Sequence, residues 1–475
     1  MKRKVCQTSE IDDQNKSIKL ESVDRISELS DDIISSILSL LPIKEAEATS
    51  ILSSRWRYMW AFSTRNLYFD AEECLRAFPA LSRELRDQKS LRYVDWVDHV
   101  VEQYRGSGIE QFRVCFRLNR RFASSIDKWI QFALEKRTQV LVLELLLLID
   151  ESSRKDSYTF PQKLLDLNYS NGCIGFESLK VLELRNVDVT DEVVQHFLSK
   201  CPVLERLSIC YATNLVNFKA AGPSIALKHL VIKNCFALKS IEVCDTSGLV
   251  SFTFDGFGDE ISLSLCNLPL LVRIDVSIHF CEFPLISGSF GRLSLSRSLP
   301  QLETLGLAIH SSYLDFKRFN DVFPIPTLLP NLKHLELAVL ETDAHGLRKL
   351  YSFLKASPHL QRLVLQCEFS FNEQPFDESL QQAGECKHHN LKVVQVVGYR
   401  ARKIIATCVN YLIENVLSLE KIVIDPRRPG FHYTGMGKRI EEVEEERKAR
   451  DHAMHQLKKQ VPSTIECLCN YVDLE

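Results

Sequence analysis

The chain has 475 residues, a formal net charge of −3 and 45% apolar residues. That length calls for several domains or a repeat array, and that apolar content excludes global disorder. The near-balanced charge gives no broad electrostatic drive toward nucleic acid or a membrane surface, and the longest apolar run, Val140–Ile149, is broken by Glu144 and too short to span a bilayer.

Residues 1–23 are polar and mixed in charge and read as a disordered lead. Lys2, Arg3 and Lys4 are not followed by an apolar stretch, so they do not open a signal peptide. The fifteen cysteines lie mostly in apolar stretches and are expected as reduced, buried thiols.

Residues 24–62 predict three short helices. Ser30 is placed to cap the first, and Asp31 and Asp32 sit where the helix dipole favours negative charge. Ile33, Ile34, Ile37, Leu38 and Leu41 recur at helical spacing, and Pro42 is expected to end the helix. A second piece runs through Ala46 and Leu52, and a third carries Trp56, Met59 and Trp60. So much apolar surface in so small a unit points to packing on a neighbour or a partner.

Residues 63–108 read as a connector with an amphipathic helix from about Leu91 to Tyr104, ended by Gly106-Ser107-Gly108. A repeat then begins, with the template apolar-x-x-apolar-x-apolar. Its twelve copies start at Ile109, Val140, Leu179, Leu204, Leu227, Leu249, Leu271, Leu302, Leu332, Leu360, Leu391 and Leu419, 22 to 39 residues apart. Pro202, Pro269, Pro300, Pro330 and Pro358 stand two residues ahead of five of them, where a proline stops a helix and hands the chain to a strand. Thr190 is placed to cap a helix over Asp191–Lys200, and Thr342 one reaching Ala356. Ala401–Leu417 carries Ile404, Ile405, Cys408, Leu412 and Val416 on one face. Strand, loop, helix and proline make a leucine-rich repeat unit, whose apolar edges are covered by stacking into a solenoid. The usual Asn or Cys after the strand is met clearly only at Cys235. Residues 436–460 predict a charged helix with a solvated face, ended by Pro462, and Ile465, Cys467, Cys469 and Tyr471 alternate as a final strand.

No catalytic constellation emerges. There is no phosphate-cradling loop, no His-Glu-x-x-His and no nucleophile turn. Gly256-Phe257-Gly258 reads as a turn, and neither Cys386 with His388 and His389, nor Cys467 with Cys469, completes a structural-zinc set. The expectation is a protein without catalytic residues, metal or cofactor. Template positions that point away from the core form a candidate recognition face: Glu183, Arg185, Arg206, Ser208, His229, Lys233, Arg273, Asp275, His334, Glu336, Arg362 and Gln366.

The first unit resembles the F-box of plant F-box proteins through Asp24-Arg25-Ile26-Ser27, Leu29, Ile37-Leu38-Ser39, Leu41-Pro42, Lys44-Glu45-Ala46, Ala48-Thr49-Ser50, Leu52-Ser53, Arg55-Trp56-Arg57 and Trp60. Ser30 replaces the usual Pro and Glu47 an apolar residue. His389-Asn390-Leu391-Lys392-Val393-Val394, Gly398-Tyr399, Tyr411–Asn415 and Leu419–Arg427 resemble the FBD domain that ends many such proteins, with Ala401, Arg402 and Lys403 departing from it. The resemblance is to the plant F-box/FBD/LRR-repeat family. It implies an F-box at 24–62, an irregular leucine-rich-repeat horseshoe over 109–385 and an FBD region over 386–475. It also implies docking on a Skp1-like adaptor, through it on a cullin–RING ubiquitin ligase, and capture of a protein target in the nucleus or cytoplasm. Leu29, Ile33, Ile37, Leu38, Leu41, Pro42, Leu52, Trp56 and Trp60 are the docking candidates, some of which must fill the unit's own core. The alternative is a non-catalytic repeat scaffold whose F-box is weakened or inactive.

Overall fold

The structure is a computed structural model that describes residues 28–71, 78, 81–146, 156–164, 175–257, 261–279, 293–295, 300–310, 328–340, 346–368, 386–400, 403–427 and 440–470. The lead over 1–23, Asp24–Ser27, Gly258, Thr342, Ala401, Arg402 and Tyr471 lie outside those residues. The chain divides into two compact units, with the boundary after Thr64.

The first unit holds helices α1 (Asp31–Ser39), α2 (Ile43–Ala48) and α3 (Trp60–Ser63), with two short 3-10 turns between α2 and α3. Ser30 occupies the cap position of α1 in extended backbone, but its hydroxyl makes no capping bond. Helix α1 ends at Ser39 with Leu40 as its cap, two residues ahead of Pro42, and Pro42 also caps α2, where its carbonyl accepts from Glu45 N and Ala46 N at 2.9 Å. The fixed φ of proline suits this helix entry. Arg55 Nε donates to Asp31 at 3.0 Å and Ser63 Oγ to Ser35 Oγ at 2.9 Å, tying the later turns back to α1.

In the second unit the strands run β1 (Asn66–Asp70), β2 (Gln111–Phe116), β3 (Val140–Leu145), β4 (Tyr158–Thr159), β5 (Val181–Arg185), β6 (Val187–Asp188) and β7 (Arg206–Cys210). They continue as β8 (Asn217–Ala221), β9 (His229–Lys233), β10 (Ser240–Cys244), β11 (Ser251–Phe257), β12 (Ser262–Cys266), β13 (Arg273–His279), β14 (Leu293–Leu295) and β15 (Thr304–His310). The last are β16 (His334–Leu340), β17 (Arg362–Glu368), β18 (Val393–Val397), β19 (Lys421–Asp425) and β20 (Glu466–Cys469). One parallel sheet of fourteen strands takes them in the order β1-β2-β3-β5-β7-β9-β11-β13-β15-β16-β17-β18-β19-β20. Every strand predicted from the template is present in it, and neighbours pair without a register slip. Alternation decides that register: Leu207, Ile209, Leu230, Ile232, Phe252 and Phe254 are buried, whereas the residues between them are half-exposed.

The sheet starts earlier than the repeat template shows. Within the stretch read as a connector, β1 pairs with β2 from Asn66↔Gln111 to Asp70↔Cys115. Its helix is longer than predicted, α4 (Arg83–Gln103), and buries Tyr93, Val94, Val97 and Val100. Tyr93 stacks on Phe116, ring centroids 4.1 Å apart, and its hydroxyl donates to Phe69 O.

The layer behind the main sheet changes along the solenoid. Helices α5 (Ala123–Glu135) and α6 (Asp191–Lys200) cross between early strands, and α7 (Gly346–Ala356), α8 (Lys403–Asn415) and α9 (Ile440–His452) between late ones. In the middle a second parallel sheet, β14-β12-β10-β8, takes the helices' place. The expected strand–helix unit fails there for a reason of length. From Leu204 to Leu227, Leu249 and Leu271 the rungs are 23, 22 and 22 residues apart. Two turns and a strand leave too little chain for a helix of ordinary length. The turns out of these strands use left-handed residues. Asn186, Tyr211 and Asn234 have φ of 54°, 62° and 52°, and their N–H groups donate to Cys210 O, Lys233 O and Asp255 O on the next rung.

Two further expectations change. Cys244 and Cys266, opposite each other on β10 and β12, form a disulfide with Cα atoms 4.7 Å apart. Glu446 on α9 is buried rather than solvated, because Ala449, Ala453 and Leu457 pack the same side of the C-terminal helix inward.

Candidate docking surfaces

The structure separates the apolar residues of the first unit. Ile34, Leu38, Ile43, Ala46, Trp56 and Trp60 are buried. Ile33 is 49% exposed, Leu40 84%, Ile51 89% and Leu52 56%, and Ile37, Pro42, Tyr58 and Phe62 are exposed as well. Leu29 and Leu41 are half-buried. At about 100° per residue, Ile33, Ile37 and Leu40 fall within an arc of about 60° on α1, and Ile34 and Leu38 lie roughly 100° away. Helix α1 therefore has two apolar stripes, one turned into the chain and one presented to solvent. Of the nine docking candidates, Leu38, Trp56 and Trp60 are not available at the surface. Leu40, Ile51, Tyr58 and Phe62 are exposed apolar residues that the motif reading passed over. Leu40 was recoverable from its position seven residues after Ile33.

The second surface is the face of the main sheet that points away from the buried side chains. All twelve recognition candidates lie on it, in rows set by the strand register. Arg206, His229, Arg273, His334 and Arg362 share the first row; Glu183, Ser208, Asp275 and Glu336 share the second; Arg185, Lys233 and Gln366 share the third. Arg273 Nε donates to Asp275 at 2.7 Å, His229 Nδ1 meets Ser251 Oγ at 2.8 Å, and Gln366 donates to Glu336. The guanidinium of Arg185 lies 5.4 Å from the ring centroid of Tyr211. Asp275 reaches over Gly306 on the next strand, where an added Cβ would stand 2.5 Å from its Oδ1. Burial, then the charge of a neighbouring arginine (Arg206 and Arg362 respectively), holds His229 and His334 below the ordinary histidine range.

Sequence reasoning missed the charged start of this face. Arg113 on β2 lies 3.1 Å from Asp70 on β1 and 3.6 Å from Glu144 on β3. Burial and the Glu144 carboxylate push the Cys115 thiol there up to about 12, which keeps it protonated and unreactive at neutral pH. Asp255 and His279 also pair across β11 and β13 at 3.0 Å.

Among the described residues no group of three His, Cys, Asp or Glu is placed to hold a metal ion. His388 is buried, meeting Ser357 O through Nε2 at 2.9 Å and accepting from Leu391 N at Nδ1, so it fixes the entry to β18. Among the described residues no helix is long and apolar enough to cross a membrane.

A short helical unit joined to a parallel repeat sheet is the organisation of F-box proteins with leucine-rich repeats. The family model "At1g61320/AtMIF1, LRR domain" matches residues 100–468, and the F-box domain model matches residues 26–65. Among Arabidopsis thaliana proteins, F-box/FBD/LRR-repeat protein At1g13570 is 28% identical over 382 residues, covering 75% of this chain and 80% of its own length. Putative FBD-associated F-box protein At5g56440 is 26% identical over 422 residues, covering 85% and 92%. F-box protein At3g59000 is 27% identical over 378 residues, covering 72% and 73%. The chain belongs to the plant F-box/FBD/LRR-repeat family.

Proposed function

We propose that this chain is a non-catalytic, substrate-recruiting subunit of an SCF-type ubiquitin ligase. Its F-box docks a Skp1-like adaptor, and the outward face of its main sheet captures a protein target. One observation carries the reading: a fold unit of this size leaves Ile33, Ile37, Leu40, Ile51 and Leu52 in water. Exposed large apolar residues in such number mark an interaction surface, and the F-box match supports a Skp1-like adaptor as the partner. The Leu38, Trp56 and Trp60 core supports that surface from behind. Glu47 is half-buried on α2. The chain's contribution to ubiquitin transfer is proximity, holding target and charged conjugating enzyme at high effective concentration without a covalent step of its own.

Reconstitution tests this. The purified chain, a plant Skp1-like adaptor and the N-terminal half of a cullin are mixed and run on a sizing column. The proposal expects a ternary peak in which cullin and chain co-elute only when the adaptor is present. Separate elution of the folded chain from adaptor and cullin would leave a repeat scaffold with an inactive F-box.

A further inference from the structure

Seven successive strands of the main sheet present the same kind of side chain at the same register position. Reading across β7, β9, β11, β13, β15, β16 and β17, the first outward residue is Arg206, His229, Ser251, Arg273, Thr304, His334 and Arg362. Every one offers a hydrogen-bond donor, and none is acidic. Adjacent strands lie about 4.8 Å apart, so the row is about 29 Å long.

The acids around the row mostly have other partners. On the residue before each strand, Glu205 is held by Lys228 at 2.8 Å and Glu303 by Lys333 at 2.8 Å. One position further along the strands, Glu336 accepts from Gln366, and Asp275 takes the Nε of Arg273. Among the described residues no carboxylate lies within ion-pair distance of Arg206 or Arg362. Arg362 uses one Nη to donate to Gln395 Oε1 at 2.6 Å and is otherwise exposed. The row is thus a line of donors with an arginine at each end that has no carboxylate partner among the described residues, and with Arg273 in the middle held by Asp275, on a chain whose formal net charge is −3.

We infer that this row is the binding track for an acidic segment of the protein target, laid across the strands with its carboxylates against Arg206 and Arg362. The inference deepens the target-capture reading above and rests on it. An extended segment rises about 3.3 Å per residue, so about nine residues span the row. Paired arginine and histidine donors suit carboxylates, which accept two hydrogen bonds each. The overall negative charge of the chain opposes any anionic ligand at long range, so affinity for one requires a local track of this kind.

The experiment uses the full chain and a fluorescein-labelled nona-glutamate peptide, read by anisotropy at low and physiological salt. Saturable binding that weakens as salt rises is expected. The double variant Arg206→Glu/Arg362→Glu should lose at least tenfold in affinity. Lys200→Glu/Lys239→Glu, which makes the same change of charge at exposed positions off this face, should change affinity less than twofold. Thermal unfolding of both variants verifies that they are folded. Absence of peptide binding by the folded wild type overturns the inference, as does equal weakening by the two variants. Binding of oligouridylate without binding of the peptide also overturns it, since the track would then be a nucleic-acid surface. Adaptor binding, measured in parallel, separates the two claims: an intact adaptor complex with no peptide binding removes the track and leaves the ligase reading standing.

Discussion

His229 and His334 occupy equivalent positions four strands apart, and the same two causes lower both: burial first, then an arginine on the adjacent strand. Around His229 stand Arg206 and Lys228, which oppose protonation, and Glu205, which favours it. Around His334 stand Arg362, Lys333 and Arg273 against Glu303. Both imidazoles therefore hold a proton less readily than an ordinary histidine. Arg206→Gln removes a positive neighbour from His229 alone. NMR titration of the imidazole protons should show the His229 midpoint rising while that of His334 stays in place; an unchanged His229 midpoint would mean burial acts alone. At this scale the sequence placed all twelve recognition candidates on one face, because strand alternation is set by period. It did not show which of them pair. The Asp70–Arg113–Glu144 grouping joins residues far apart in the chain, and only the strand register brings them together.

Helix α1 divides one apolar pattern between a buried side and a solvent-facing side. The spacing of Ile33, Ile34, Ile37 and Leu38 identifies the helix but does not separate a buried stripe from an exposed one, since adjacent isoleucines lie on different sides. Substitution separates them. Leu38→Asp buries a carboxylate and should unfold the unit, seen as loss of helical circular dichroism and of adaptor binding together. Ile37→Asp changes an exposed residue and should leave the thermal midpoint nearly unchanged, within about 0.5 kcal/mol of stability. The rungs behave similarly. Their leucine template was legible because it recurs, whereas the second sheet was hidden by strands as short as Ser240–Cys244 and Ser262–Cys266 that lie between template copies. The Cys244–Cys266 bridge belongs to that sheet, and a cysteine count cannot reveal which two strands become neighbours. A crosslink closing a loop of this length contributes roughly 3 kcal/mol. Urea unfolding with and without a phosphine reductant should show a loss of that order, and Cys244→Ser/Cys266→Ser should behave as the reduced protein does. Identical curves in both conditions would remove the bridge from the account of stability.

At the scale of the whole molecule the architecture followed from repetition. Stacked rungs bury one another's edges, so a template seen twelve times specifies a solenoid even where individual copies are irregular. The limits of the array were less legible. The strand Asn66–Asp70 lacks the leading apolar residue of the template, and its pairing with Gln111–Phe116 is visible only in the fold. In the proposed function, the exposed apolar stripe of the F-box is what would join the array to a ligase. The most direct measurement is calorimetry of the full chain with a plant Skp1-like adaptor, beside the variant Ile33→Asp/Ile37→Asp. Submicromolar binding by the wild type is expected, weakened at least a hundredfold in a variant whose thermal midpoint is unchanged. A folded wild type that does not bind, or a variant that binds as well as the wild type, would contradict it.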